Sequence, residues 1–195
     1  MNHTTMRRIV LVVMLAGCSR EPAQVKVYHL DEVPAELSES VAAADATIQE
    51  LQQRLVTRLS EELERGGPMG AIDVCRDEAQ AITAAVERYQ SIAVGRTSHR
   101  LRNPRNAPRP WAEPYVEAAA GKQAADVEAV VVDLGTRVGV LRPIPTGALC
   151  VTCHGAIDAM SPELVQAIRD AYPEDRATGF TEGDLRGIFW AEAPK

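Results

Sequence analysis

Cys150-Val151-Thr152-Cys153-His154 places two thiols three positions apart, with an imidazole directly after the second. Two thiols at this spacing can each add across a vinyl group of one haem, and the adjoining imidazole can then bind the iron. The stretch matches the attachment pattern of c-type haem and predicts one covalent haem c as the cofactor. It also fits two other kinds of site, a redox-active C-x-x-C pair and half of a zinc site.

The residues around the motif favour haem over these alternatives. A thioredoxin-like pair is expected between a strand and a helix of a βαβ unit, but Gly155 follows the motif at once and Pro143 and Pro145 precede it. A zinc site needs two further thiol or imidazole ligands, and the chain has few left to supply them. We predict that the two motif cysteines hold the haem and that His154 binds its iron. A zinc-binding protein is the alternative.

The N-terminal stretch, residues 1–17, predicts export. Arg7 and Arg8 form a basic region, the residues up to Leu15 are apolar but too few to span a bilayer, and Leu15-Ala16-Gly17-Cys18 has the small residues of a cleavage site. This stretch resembles a bacterial lipoprotein signal, in which cleavage precedes a cysteine that is then acylated. The resemblance implies lipidation of Cys18. An ordinary secretory signal with an incidental cysteine is the alternative.

Composition limits the partners of the exported chain. Removal of the signal from the 195 residues would leave one domain of ordinary size, and it would remove two of the 21 basic residues but none of the 27 acidic ones. The mature chain is therefore more acidic than the whole sequence, which makes it a poor binder of nucleic acid or of an anionic membrane surface. We expect attachment to the periplasmic side of a membrane through acyl chains on Cys18. Ser19 at the next position favours the outer membrane.

Residues 18–33 predict a tether between the lipid anchor and a haem domain at residues 34–195. Apolar and polar residues alternate over residues 25–29, which would also fit a short edge strand, and Pro34 ends the run. We expect His29 to be exposed on this segment rather than bound to iron.

A long amphipathic helix is predicted after the tether. Its apolar positions recur at steps of three and four residues with charges between them, and Gly66 with Gly67 ends it. These positions are Leu37, Val41, Ala44, Ile48, Leu51, Leu55, Leu59 and Leu63. We expect this stripe to pack on its own domain, and a seam between the two copies of a homodimer is the alternative.

A second helix is predicted from Pro68 to about Tyr89. Its apolar face includes Ile72, Cys75 and Ala79, so the Cys75 side chain should point inward. Lipid and thioether bonds account for the other three cysteines of the sequence, which leaves Cys75 unassigned. As a small buried hydrophobe it would need no further function.

Several further motifs accompany the C-x-x-C-H stretch. They are Ala71-Ile72-x-x-Cys75, Arg96-Thr97-Ser98, Leu101-Arg102-Asn103-Pro104, Asn106-Ala107-Pro108 with Trp111 and Glu113, and Gly179-Phe180-x-x-Gly183-Asp184-Leu185-Arg186-Gly187. Together they resemble a bacterial family of exported c-type haem domains that was long described as a domain of unknown function. The resemblance covers about residues 35–192. Members of that family occur alone or as input modules of sensor kinases and cyclases.

The resemblance implies a PAS-like α+β fold with haem c against the sheet. It also implies His154 as the proximal iron ligand and Cys75 as the candidate distal ligand. A thiolate ligand is favoured by ferric iron and should lower the reduction potential relative to a His/Met haem. Met69 is the substitute for Cys75, with His99 as the next candidate.

Five arginines lie within residues 96–109, in a loop rich in Pro and Asn. Haem carries two propionates, and guanidinium groups bind carboxylates in bidentate geometry. We expect Arg96 and Arg102 to bind the propionates, because both fall within the family motif. The alternative is that these arginines pair with Asp and Glu of the protein.

The rest of the chain predicts a small antiparallel sheet with short helices. Strands are predicted at Ile92–Thr97, Val127–Leu134, Arg137–Arg142 and Gly187–Ala191, and helices at Trp111–Ala120 and between Ser161 and Pro173. The fold class is therefore α+β, with long N-terminal helices packed on a small antiparallel sheet. This agrees with the PAS-like fold that the resemblance implies.

Three classes of haem protein fit these predictions. An electron carrier holds its iron with two strong ligands, a sensor has a distal ligand that a gas or reduction can displace, and a peroxidase needs an acid-base group over an open distal site. The sequence has no visible His-Arg pair of the peroxidase kind, so we expect no enzyme. We predict electron transfer with a redox partner protein. A sensor that acts through a signalling partner is the alternative.

Overall fold

The computed structural model describes residues 26–195, so the predicted signal, Cys18 and most of the predicted tether lie outside the described residues. The helices are α1 (Ser38–Asp73), α2 (Ala79–Gln90), α3 (Glu113–Ala118), α4 (Ala148–His154) and α5 (Pro162–Ala171). The strands are β1 (Lys26–His29), β2 (Ala93–Thr97), β3 (Val130–Asp133), β4 (Arg137–Pro145) and β5 (Leu185–Pro194). Within this part of the chain, no helix has both the length and the apolar character needed to cross a bilayer.

The five strands form one antiparallel sheet in the order β1-β3-β4-β5-β2. The predicted hairpin is present as β3 and β4, and β4 pairs with β5 along nearly its whole length. Residues on one face of the sheet pack against α1 and α2, and residues on the other face pack against α3. The predicted α+β class, with long N-terminal helices on a small antiparallel sheet, is confirmed.

The apolar stripe of α1 divides into two parts. Val41, Ala44, Ile48 and Leu51 are buried against the sheet, where they pack with valines of β3 and β4. Leu55 packs at the edge of this core, and the helix from Leu55 onward lines a cavity described below. The first half of the helix therefore anchors the domain, and the second half is available to a ligand.

Gly67 interrupts α1 at the predicted helix end. Its φ of 63° and ψ of −164° are non-helical, and Pro68 restarts the helix at once. The chain then makes a five-residue π turn, Val74–Glu78, before α2 begins. The break that the two glycines predict is therefore a kink between two helical segments, and the second segment carries Cys75 to the cavity.

Local boundaries differ from the sequence predictions at several places. Lys26–His29, within the predicted tether, pairs with β3 as the edge strand that was the alternative there. His29 is exposed, as predicted, and its Nδ1 lies 2.7 Å from a carboxylate oxygen of Glu128. The last strand is longer than predicted because β4 continues to pair with it through Pro145.

Candidate cofactor site

A cavity lies between the second half of α1, the π turn, β2, α4 and β5. It contains about 1290 Å³ of space free of atoms, including its mouth to solvent. Leucines and other apolar residues of α1 form one wall, and the sheet contributes Phe189 and Gly187. Among the described residues that line it are three arginines and no Asp or Glu. The cavity is thus apolar over most of its surface and positively charged at one side.

The C-x-x-C-H motif forms α4, a short helix that the sequence analysis did not predict. Cys150 and Cys153 lie about one turn apart in it, and both line the cavity. Cys153 also packs against a small apolar cluster formed by Ile72, Leu164, Ile168 and Tyr172. Burial raises the pKa of the Cys153 thiol, so it is protonated at neutral pH. The fold therefore presents both thiols to one space.

His154 ends α4 and has its two ring nitrogens in different surroundings. Nδ1 donates a hydrogen bond of 2.7 Å to the carbonyl oxygen of Ala177, which leaves the lone pair on Nε2. Burial, with Arg186 and Arg102 nearby, lowers the pKa of His154 well below its usual value, so the ring is neutral. A neutral imidazole held in this tautomer is the form that binds a metal through Nε2.

Arg102 is buried and holds the motif in place. Its guanidinium forms an ion pair with Asp175 at 3.0 Å, and each of these side chains is only 8% exposed. It also donates to the carbonyl oxygen of Cys153 at 2.6 Å and to that of Ala177 at 3.2 Å. This pairing with an acidic residue is the alternative that the sequence left open for the loop arginines. The structure thus gives Arg102 a supporting contact with the end of α4.

Arg96 and Arg186 lie on the neighbouring strands β2 and β5 and both line the cavity. Within residues 26–195, neither guanidinium has a carboxylate at ion-pair distance, in contrast to Arg102. Burial, together with Arg102 and Arg96, lowers the pKa of Arg186 to about 10, and burial also lowers the pKa of Arg96. Nη2 of Arg186 lies 3.3 Å from Nε2 of His154. The sequence analysis quoted Arg186 within a motif but gave it no role.

Cys75 lies in the π turn and lines the same cavity as the motif. Turns of this kind are rare and are found frequently at functional sites. Tyr172, from just beyond α5, also lines the cavity, and burial followed by the effect of Cys75 raises the pKa of Tyr172 to about 12. The inward direction predicted for Cys75 is therefore observed.

The two substitute ligands lie elsewhere. Met69, the substitute ligand, is 47% exposed and is not part of the cavity lining. Met69 precedes Cys75 by six residues, and six steps of about 100° each place the two side chains about 240° apart around the helix. His99 packs edge-on to Phe180 at 6.1 Å, outside the lining. Of the three candidates, Cys75 shares the cavity with His154.

A protein-only metal site has little support in the described residues. Within residues 26–195, no three His, Cys, Asp or Glu side chains form a cluster suited to a metal ion. A structural zinc site needs four such ligands.

Comparison with known proteins supports the family resemblance. Residues 22–194 match the family model described as Tll0287-like. The crystal structure of a cyanobacterial haem protein, Tll0287, is similar with a TM-score of 0.55 and 25% identity, over 84% of this chain and 97% of that chain. No curated protein matches the sequence. The match extends over almost all of the described residues and includes every wall of the cavity.

Proposed function

Since the chain belongs to the Tll0287-like family, we propose that it is a haem-binding protein with one haem c in the cavity. Cys150 and Cys153 would form the thioethers, and Nε2 of His154 would bind the iron. The observation that carries the proposal is that one apolar cavity brings both thiols and a neutral imidazole together with cationic groups. The solved relative is itself named as a haem protein.

The chain's own residues suit each part of such a cofactor. Leu55 and Leu59 of α1 and Phe189 of β5 offer apolar contact to a flat ring. The carbonyl of Ala177 fixes the orientation of the His154 ring, and Arg102 fixes the end of α4. These contacts fix the position of the His154 imidazole, which would bind the iron.

We propose electron transfer as the activity, with a redox protein as partner. Bound haem would supply a centre that gains and loses one electron. His154 and Cys75, which both line the cavity, would be the protein ligands of the iron, and two strong ligands limit rearrangement when the charge of the iron changes. The π turn at Cys75 favours a second candidate, a sensor in which the distal ligand leaves and a signalling partner responds.

Covalent attachment is the first expected outcome. Purified protein from a host that matures c-type haem should keep its haem through denaturation and acid-acetone extraction, because thioether bonds survive both. A pyridine haemochrome spectrum of the extracted protein measures this directly. Haem found wholly in the solvent would contradict the proposal, and zinc found instead by elemental analysis would favour the metal-site alternative.

We also propose a lipid anchor at Cys18, which lies outside the described residues. Cys18→Ala should move the protein from the membrane fraction to a soluble or unprocessed form, because the acyl chains supply the membrane affinity. Fractionation with immunoblotting measures the change. Ser19→Asp serves as the control. It should leave acylation intact and change only which of the two membranes holds the protein, in a host that sorts lipoproteins by this residue. Processed wild-type protein that is entirely soluble would contradict the proposal.

A further inference from the structure

The charges around the cavity do not balance within the described protein. Three guanidinium groups line it, and no carboxylate of residues 26–195 does. Asp175 neutralises Arg102 from behind the wall, which leaves Arg96 and Arg186 as two positive charges without a carboxylate partner at ion-pair distance. Removal of a charged group from water is unfavourable unless an opposite charge and hydrogen bonds replace the water. The cavity is therefore suited to a ligand with two negative charges.

The position of the two arginines is set by the sheet. Arg96 pairs in register with Phe189 across β2 and β5, and Phe189 itself lines the cavity. Arg186 comes from the start of β5, where its guanidinium stacks on Phe180 at 5.2 Å. Both cations thus lie on rigid elements beside an apolar surface, which is the arrangement that a flat apolar molecule with two carboxylates requires.

Arg186 makes a contact that cannot persist when His154 binds a metal. Its Nη2 is 3.3 Å from Nε2 of His154, and the neutral imidazole accepts there with its single free lone pair. Once that lone pair binds iron, Arg186 loses its acceptor. A carboxylate of the incoming ligand would supply a new acceptor to the same guanidinium.

We propose that Arg96 and Arg186 form a receptor for the two propionates of the haem, and that Arg102 is not part of it. This inference rests on the proposed function and deepens it. It retains Arg96 from the sequence prediction, replaces Arg102 by Arg186, and assigns Arg102 to the support of α4.

The test compares haem with its dimethyl ester, which lacks the propionate charges. In a background of Cys150→Ala with Cys153→Ala, both probes bind without thioethers, and absorbance titration gives their dissociation constants. The background protein should bind haem more tightly than the ester. Arg96→Gln and Arg186→Gln should each reduce this preference about 10- to 100-fold, the range for a lost charge-assisted hydrogen bond, and should leave ester binding little changed.

Arg100→Gln is the matched control. Arg100 also stacks on Phe180, at 4.3 Å, but it donates to the carbonyl oxygen of Arg176 and is outside the cavity lining. Arg100→Gln should therefore leave the preference for haem over the ester unchanged. If Arg96→Gln and Arg186→Gln weakened the binding of haem and of the ester equally, the inference would be overturned. Such a result would show that the arginines only maintain the fold.

A second measurement uses the covalent holoprotein and does not depend on binding without thioethers. Arg96→Gln and Arg186→Gln should each lower the midpoint potential. A cation near the haem disfavours the more positive ferric state, so its loss stabilises that state. Arg186→Lys should keep the midpoint potential close to that of the wild type, because it retains the positive charge. Arg100→Gln should change the potential little. Unchanged potentials in both glutamine variants would overturn the inference. Wild-type protein without covalent haem would instead overturn the proposed function itself.

Discussion

Cys75→Ser is expected to abolish the low-spin thiolate signature of the ferric protein while the haem stays attached. Cys75 lines the cavity together with His154 and sits in the π turn, so its sulfur is available as the second axial ligand. Coordination to ferric iron favours the thiolate over the thiol, and a serine hydroxyl is a much weaker donor. Electron paramagnetic resonance and absorbance of the oxidised protein measure the change. The midpoint potential should rise in the same variant, because thiolate donation stabilises the ferric state.

Met69→Leu provides the control for this result. Met69 is largely exposed and outside the cavity lining, so its replacement should leave the ferric spectrum of the protein as it is. A Cys75→Ser protein with an unchanged ferric resonance spectrum would show that another group binds the iron. Cys75 would then be a small core residue of the π turn.

Arg102→Met is expected to lower the free energy of unfolding by about 3–5 kcal/mol, the range for breaking one side of a buried ion pair. Arg102 and Asp175 are each only 8% exposed, and Arg102 also satisfies the carbonyl oxygens of Cys153 and Ala177. Its loss leaves the Asp175 carboxylate and both carbonyls without this donor in a buried place. Equilibrium denaturation of the holoprotein, followed by circular dichroism, measures the difference.

Two further variants separate this effect from a general effect of the substitution. Arg105→Met changes an exposed arginine of the same loop and should alter the free energy of unfolding by no more than about 0.5 kcal/mol. Arg102→Met combined with Asp175→Leu should recover part of the loss, since it removes the unpaired charge as well. Equal stability of Arg102→Met and the wild type would show that the ion pair contributes nothing net to the fold.

Local patterns predicted most of the architecture. The step of three and four residues in α1, the glycines at the kink and the β-branched run of β3 each reflect rules that act over a few neighbours. The inward direction of Cys75 follows from the same periodicity. The same periodicity accounts for Met69, because six residues at about 100° each turn it about 240° around the helix from Cys75, and it does not line the cavity.

The arginines show where local patterns end. Arg102 finds Asp175 from a segment 73 residues later in the chain, and no spacing rule connects the two. Arg186 reaches the cavity because β5 lies between β4 and β2, so its place depends on the strand order of the whole sheet. The tertiary structure is therefore needed to tell which of these arginines has a carboxylate partner among the described residues. The motif that contains Arg186 was nevertheless visible in the sequence.

The π turn also sets the rotation, relative to α2, of the helical segment that follows Gly67. An α-helix turns about 100° for each residue, and a π turn accommodates one residue more than an α-helical turn. Conversion of Val74–Glu78 to regular α-helix would therefore rotate the segment from Pro68 to Asp73 relative to α2 by about that angle. Ala71 and Ile72, which line the cavity, would turn with this segment. The orientation of this part of the cavity wall consequently depends on a single inserted residue beside Cys75.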